Sequence, residues 1–423
     1  MTSARTRTSE SVQLWALLAG VALLVAGNGL QATLLGVRAG LEGMADETVG
    51  VVMSAHFAGF VAGSIYAPSL IQRVGHIRAF AALASIASAV ALCFAIFVTP
   101  PAWIAFRGLH GACYAGLVIV AESWLNASAS RERRGRVLAL YMIVMYGSWT
   151  ASQLFLTLAP ADGFVLFCLV SVCLSLALVP ITLTEAGIPG VVAATRLKLG
   201  RLYALSPLAL VGAFVLGLTV SAFFGMAPTF AQSIGLEKDA IAIFVGAMLT
   251  GALILQWPLG WLSDRVDRRY VIVGTSAVAA ATAALIAAYA GASPGRLIVL
   301  SCLLGGATMP AYSLCVAHLN DHIEEDELIA AASGLVLVYG IGSAVGPFAA
   351  SVVMGGLGPD GLFAFIAVAM GAYAVYSGYR FTQRAAPAPE DKESYTAVPQ
   401  TSHAALPLHR HGTGKAEGEP APR

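Results

Sequence analysis

Read for polarity alone, the chain is a succession of apolar runs, each long enough to cross a bilayer and each bounded by a polar or turn-rich break. A hydrocarbon core about 30 Å thick needs roughly 20 helical residues at 1.5 Å each, because every backbone N–H and C=O in lipid must be satisfied within its own segment. That length is met near Val12 to Val37, Thr48 to Ile71, Ala79 to Val98, Ala102 to Leu125, Val137 to Leu158 and Gly163 to Leu183. It is met again near Pro207 to Gln232, Ala240 to Leu262, Tyr270 to Gly291, Leu297 to Leu319, Leu328 to Met354 and Gly361 to Phe381. The period-2 alternation of a membrane barrel is nowhere sustained, so the pattern predicts an all-α integral membrane protein with twelve transmembrane helices.

Composition sharpens this picture. Of 423 residues 58% are apolar and 11% charged, against about 25% charged in soluble domains, which excludes a soluble enzyme. A net charge of +1 offers no cationic surplus to phosphates, so no nucleic acid partner is expected. The first apolar run follows Arg5 and Arg7 and lacks a small-residue cleavage site, so it is expected to stay as a helix. Positive charge fixes the expected orientation. One set of loops carries Arg5, Arg7, Arg73, Arg78, Arg131, Arg133, Arg134, Arg136, Arg196, Lys198, Arg201, Arg265, Arg268 and Arg269; the other carries Arg38, Lys238 and Arg296. Both termini are therefore expected on the cytoplasmic side of an inner membrane. The acidic run Glu324 to Glu327 opposes the trend, but acidic residues weigh little in orientation.

The six cysteines fall inside the apolar spans without metal-ligand spacing, so packing roles are expected, with no metal and no cofactor. Residues 1–11 form a cytoplasmic N-terminus, 12–184 a first bundle, 185–206 a linker, 207–383 a second bundle and 384–423 a disordered tail. The tail's His403, His409 and His411 are read as solvated. In the linker, Leu197, Leu199, Leu202 and Tyr203 interleave with Arg196, Lys198 and Arg201, as in an interfacial amphipathic segment.

The two bundles repeat each other. Ser69-Leu-Ile-Gln-Arg-Val-Gly-His-Ile-Arg78 closes the second span and Trp261-Leu-Ser-Asp-Arg-Val-Asp-Arg-Arg-Tyr270 closes the eighth. At nearly the same separation Gly59 meets Gly251, Leu125-Asn126 meets Leu319-Asn320, and Tyr146-Gly147 meets Tyr339-Gly340. The stretch from Gly260 to Arg269 matches a loop signature Gly-x-Leu-Ala-Asp-Arg-x-Gly-Arg-Arg, with Asp267 at the second glycine. The first-half copy keeps Leu70, Arg73 and Gly75, with Pro68, Gln72 and His76 replacing the glycine, the aspartate and an arginine. Arg107-Gly-Leu-His-Gly111 meets a second signature, Arg-x-x-x-Gly. In these residues the chain resembles the major facilitator superfamily over about residues 12 to 383.

The resemblance implies two pseudo-symmetric six-helix bundles that rock about a central site. It also implies a cytoplasmic gate in which Asp264, Arg265, Arg268 and Arg269, with Arg73 in the other copy, dock against the start of span five near Arg134 and Arg136. The same arginines are also accounted for by the positive-inside effect alone. The family's helix-five antiporter signature, Gly-x-x-x-Gly-Pro, is missing from Tyr146 to Gln153, while Gly342-Ser-Ala-Val-Gly-Pro347 stands in the symmetry-related span eleven. The direction of transport is left open.

Ionisable residues within spans cost about 2.5 to 3.5 kcal/mol each on insertion scales, so each is a functional candidate. Arg107, Glu122 and His56 are the expected proton-coupling groups, with Arg107, His110 and Tyr114 sharing a helix face at i, i+3 and i+7. Other roles stay open: carbonyl binding for Arg107, a pair with Arg131 or Arg133 for Glu122, a satisfied core position for His56. Polar groups at the bilayer midplane nominate Asn28, Gln31, Tyr114, Trp149, Gln153 and Gln256 for the substrate, each equally able to hold helices together. The pairs Gly36 with Gly40, Gly59 with Gly63 and Gly342 with Gly346 predict close helix approaches.

The expected function is secondary active transport of a small organic solute, proton-coupled and by alternating access, in a monomer whose partners are the solute, protons and the bilayer. A membrane-embedded enzyme would need a catalytic constellation or phosphate loop that the sequence lacks. The other alternative is a sensor or lipid-handling protein on a transporter fold.

Overall fold

The structure, a computed structural model, describes residues 2–128, 134–182, 199–289, 293–323, 327–383 and 395–400. Among these it is almost wholly helical. The first half comprises α1 (Thr2–Leu41), α2 (Asp46–Val74), α3 (His76–Ile96), α4 (Pro100–Ser128), α5 (Arg134–Phe155), α6 (Val165–Leu176) and α7 (Leu178–Thr182). A short α8 (Leu199–Leu205) precedes α9 (Pro207–Ser233), α10 (Lys238–Arg265), α11 (Arg268–Tyr289), α12 (Pro294–Asn320), α13 (Leu328–Leu357) and α14 (Gly361–Gln383).

Eleven of these helices are long and apolar enough to cross a membrane. The sixth crossing departs from the continuous span expected from Gly163 to Leu183. Its apolar helix covers Val165–Pro180 and breaks between Leu176 and Leu178. The cause is local: Pro180 has no N–H to give the carbonyl of Leu176 four residues earlier. Turns elsewhere are made where glycine relieves the backbone, as at Gly75 between α2 and α3 (φ 83°) and at Gly358 before α14 (φ 80°). The amphipathic linker is seen from α8 onward, where Leu202 is buried and Arg201 pairs with Glu327 at 3.3 Å.

The repeat noticed in the sequence is a repeat in packing. α2 lies along α4 and α10 lies along α12. At the first crossing Gly59 faces the carbonyl of Gly108; at the second Gly251 faces the carbonyl of Cys302. A Cβ at either glycine would overlap that carbonyl, so the small residues set how near the helices come. The glycine pair expected in the second half behaves alike, with Gly342 against the carbonyl of Phe214 and Gly346 against that of Leu218.

The halves meet through α1 with α9, α2 with α13 and α5 with α10. One face of the bundle carries the start of α1 and the end of α14; we call it the terminal face. At the other face the halves are closed together. There Gly36 stands against Pro228 and Gly40 against Gln232. Gly50 stands against Ser351, and Lys238 donates to the carbonyl of Ala159 at 2.8 Å. Farther in, the Ser54 hydroxyl accepts from the N–H of Phe348 at 3.1 Å.

Candidate functional site

Between the halves lies a cavity of about 110 Å³, walled by α1, α2, α4 and α5 on one side and by α9, α12 and α13 on the other. Most of the wall is apolar: Met53, Phe57 and Phe60 from α2, Met142 and Met145 from α5, Phe224 from α9. Into it project Asn28, His56, Arg107, Tyr114, Tyr146, Trp149, Tyr339 and Ser343.

Arg107 gives the site its chemistry. Its side chain is buried, at 2% exposure, and Nη2 lies 3.7 Å from the sulfur of Met53. Nε and Nη1 have no hydrogen-bond partner. A buried guanidinium without an anion is costly by several kcal/mol, a cost that an acceptor placed beside Nε or Nη1 would reduce. Around it stand His56, with its ring 5.5 Å from that of His110 and 6.2 Å from that of Tyr114. His56 Nδ1, both ring nitrogens of His110 and Asn28 Oδ1 are without partners. The helical spacing that grouped Arg107, His110 and Tyr114 holds in part. Arg107 and Tyr114 line the cavity, while His110 is wholly buried and stacked on Tyr114 at 6.3 Å.

The remaining sequence candidates fall elsewhere. Gln153 accepts from the Thr33 hydroxyl at 2.6 Å, tying α5 to α1 off the cavity wall. Gln31 is wholly buried and also off the wall, and neither of its amide atoms is bonded. Gln256 donates to Ser313 at 3.3 Å and to the Tyr395 hydroxyl at 2.7 Å, nearer the terminal face. Glu122 is buried and accepts from Tyr141 at 3.1 Å; the arginines expected opposite it, Arg131 and Arg133, lie outside the described residues.

The loop cluster is tied to its own half. Arg268 meets Asp321 at 2.6 Å and Asp264 at 3.4 Å and donates to the carbonyl of Ala317 at 2.8 Å, joining the ends of α10, α11 and α12. Arg269 pairs with Asp267 at 2.6 Å, and Arg265 stacks over Trp261 at 3.7 Å. Arg73 and Arg136 are exposed. Among the described residues these ion pairs close within the second half; the side chains of Arg131, Arg133 and Arg134 are not described.

Two features escaped the sequence reading. Tyr339 entered it only as the repeat partner of Tyr146, yet both tyrosines line the cavity, so the repeat itself carried the signal. The tail, expected to be disordered from 384 onward, includes the described stretch 395–400, and its Pro399 and Gln400 form part of the cavity wall. The rest of the tail, including His403, His409 and His411, lies outside the described residues.

The chain is 27% identical over 359 residues to an uncharacterized MFS-type transporter of Enterobacter sp. (strain 638), covering 83% of this chain and 91% of that protein. It is 25% identical over the same length to the uncharacterized MFS-type transporter YcaD of Escherichia coli O139:H28, with the same coverage. In fold it is similar to the nucleoside transporter NupG, with a TM-score of 0.68 and 14% identity over 88% of this chain and 100% of that one. It is also similar to a D-xylose-proton symporter, with a TM-score of 0.69 and 13% identity over 91% and 98%. The family profile of the Major Facilitator Superfamily matches residues 17–197 and 209–411. With both halves matched, and with its repeat, its helices and a cavity shared between two bundles, the chain belongs to the major facilitator superfamily.

Proposed function

We propose that the protein is a secondary active transporter that carries a small, largely apolar organic solute bearing an anionic or strongly accepting group across the cytoplasmic membrane by alternating access, coupled to protons. The observation that carries this reading is Arg107, whose free guanidinium nitrogens face a mostly apolar cavity shared by both halves. Asn28, Tyr114 and Trp149 supply the neighbouring polar edges and an aromatic face. Structural neighbours named for a nucleoside and for D-xylose and protons support a small solute and a proton as coupling ion; this cavity, richer in methionine and aromatic side chains, favours a less polar one.

In the state described, the halves are joined at the face opposite the termini. Positive loop charge supports a cytoplasmic terminal face, so this state is read as closed to the outside. Closure of the terminal face would bring Asp264, Arg265, Arg268 and Arg269 toward Arg73 and the start of α5, completing the inner gate. His56, beside Arg107 in the cavity, and Glu122, about 12 Å along α4 from Tyr114 at 1.5 Å per residue, are the groups proposed to take up and release the proton.

The test is a ligand screen by thermal stabilisation of the purified protein, comparing monocarboxylates with nucleosides and sugars on wild type and Arg107→Ala. A hit is then followed in proteoliposomes under a pH gradient. We expect an organic anion to stabilise the wild type and not Arg107→Ala, and Glu122→Gln to keep exchange while losing pH-driven accumulation. Stabilisation that survives Arg107→Ala would remove Arg107 from the substrate site, and unchanged accumulation would remove Glu122 from coupling.

A further inference from the structure

The tail stretch 395–400 threads inward from the terminal face along α10, α12 and α13. The Tyr395 N–H donates to Asp264 Oδ1 at 2.8 Å, at the end of α10. One turn deeper its ring lies on Gly260, where any Cβ would overlap it, and Gln256 donates to its hydroxyl at 2.7 Å. Val398, 6% exposed, pairs with Ser313 of α12 through both main-chain groups: its N–H donates at 3.1 Å and its carbonyl accepts at 3.2 Å. Gln400 accepts from Tyr339 of α13 at 2.8 Å and donates to the carbonyl of Met309 at 3.4 Å. Met309 is eleven residues from the end of α12 at Asn320, about 16 Å at 1.5 Å per residue. The tail therefore reaches well into the membrane-spanning body.

We propose that this vestibule is a binding site for the chain's own segment 395–400, and that the bound segment plugs the route from the terminal face to the central cavity. Three observations carry it. Backbone and side-chain hydrogen bonds run the length of the segment, so it is held in one register. Gly260 leaves the space that the Tyr395 ring fills. Pro399 and Gln400 form part of the same wall as Asn28, Arg107 and Trp149, so they stand where a solute would enter.

A plug of this kind acts twice. It blocks entry, and because it occupies space between the halves it opposes closure of the terminal face, which holds the carrier in a single state. Ordering six residues costs free energy of the same size as its hydrogen bonds and buried side chains return, so the segment is held weakly enough to leave.

The inference rests on the cavity being the solute route, but its test needs no solute. Ser221 of α9 lines the cavity and lies fourteen residues from Pro207, about 21 Å along the helix. A Ser221→Cys reporter in purified full-length protein is labelled with a charged maleimide, with protein lacking the reporter as background. The same rate is measured after truncation behind Gln383, in the double variant Tyr395→Ala with Gln400→Ala, and in truncated protein given a synthetic peptide of residues 391–402. We expect labelling to speed up at least tenfold on truncation, to rise in the double variant, and to slow again with the peptide but not with a scrambled one. Equal rates with and without the tail, at equal melting temperatures, would overturn the proposal, as would a peptide without effect. Failure of the carrier to move any solute would leave these rates unchanged, so the two readings fail separately.

Discussion

Trp149 of α5 stacks on Phe224 of α9 with ring centroids 4.5 Å apart and planes inclined by 29°, the one residue in the first half and the other in the second. Beyond this pair, toward the face opposite the terminal face, the contact of Gly36 of α1 with Pro228 of α9 joins the two halves. The rings thus form a floor to the cavity that exists only while the halves are joined at that face.

Replacing Trp149 by leucine keeps an apolar filling and removes the stack. An aromatic pair is worth about 0.5 to 1.5 kcal/mol beyond its area, which is about two- to twelvefold in a conformational equilibrium at 1.4 kcal/mol per tenfold. The Trp149→Leu protein should open more often at that face, read as faster labelling of an Asn28→Cys reporter by an impermeant maleimide applied there. An unchanged rate would mean that the stack does not hold the halves together.

The glycine crossings predict matched effects in the two halves. Gly59→Ala and Gly251→Ala each drive a methyl into a main-chain carbonyl of the neighbouring helix, and overpacking of this kind costs about 1 to 3 kcal/mol. Gly274→Ala on α11 meets nothing within 4 Å and should be neutral or stabilising, since alanine is the better helix former by about 1 kcal/mol. Thermal unfolding in detergent checks all three, and a stable Gly251→Ala would contradict the packing equivalence of the halves.

Gln153 and Asn28 separate a helix tie from a ligand contact. Gln153→Leu breaks the bond with Thr33, and interhelical hydrogen bonds in membrane proteins are worth about 0.6 kcal/mol and at most about 1.7. Stability should fall by that order while affinity for a solute found by the screen changes less than about twofold. Asn28→Ala should do the reverse and weaken binding about fivefold, close to 1 kcal/mol, the net worth of one hydrogen bond. Isothermal titration beside thermal unfolding tells them apart.

Asp321 and Arg268 form a buried pair, each side chain 1% exposed. Asp321→Asn leaves the guanidinium its bond to the Ala317 carbonyl at 2.8 Å and Asp264 at 3.4 Å but removes the buried countercharge, and breaking a buried pair on one side costs about 3 to 5 kcal/mol. The exposed Arg265 makes a useful contrast, with a surface substitution expected within about 0.5 kcal/mol. If Asp321→Asn unfolds like the wild type, the cluster is no structural tie for the second half.

The candidate site was legible in proportion to how far polarity alone decides it. Arg107, His56, Asn28, Tyr114 and Trp149 stand out because polar groups inside apolar spans have few places to go, and all five line the cavity. Gln31, Gln153 and Gln256 carry the same signal, yet they are buried elsewhere, against other helices or the tail. Hydropathy says that such a group faces protein; it does not say whether it faces a cavity or the next helix, because that depends on the rotation of each helix in its packing.

Polarity and spacing along the chain dictate the layout: apolar runs of bilayer length, glycines where helices cross, and two halves that repeat, since backbone satisfaction in lipid leaves helices as the form such runs take. Packing in three dimensions sets which polar side chains share the cavity, keeps the described ion pairs of the loop cluster within one half, and lays residues 395–400 of the tail along α10, α12 and α13. The reason in each case is the same. Tyr395 and Gln400 have no local periodicity or capping to hold them, and only the groove between α10, α12 and α13 supplies their partners.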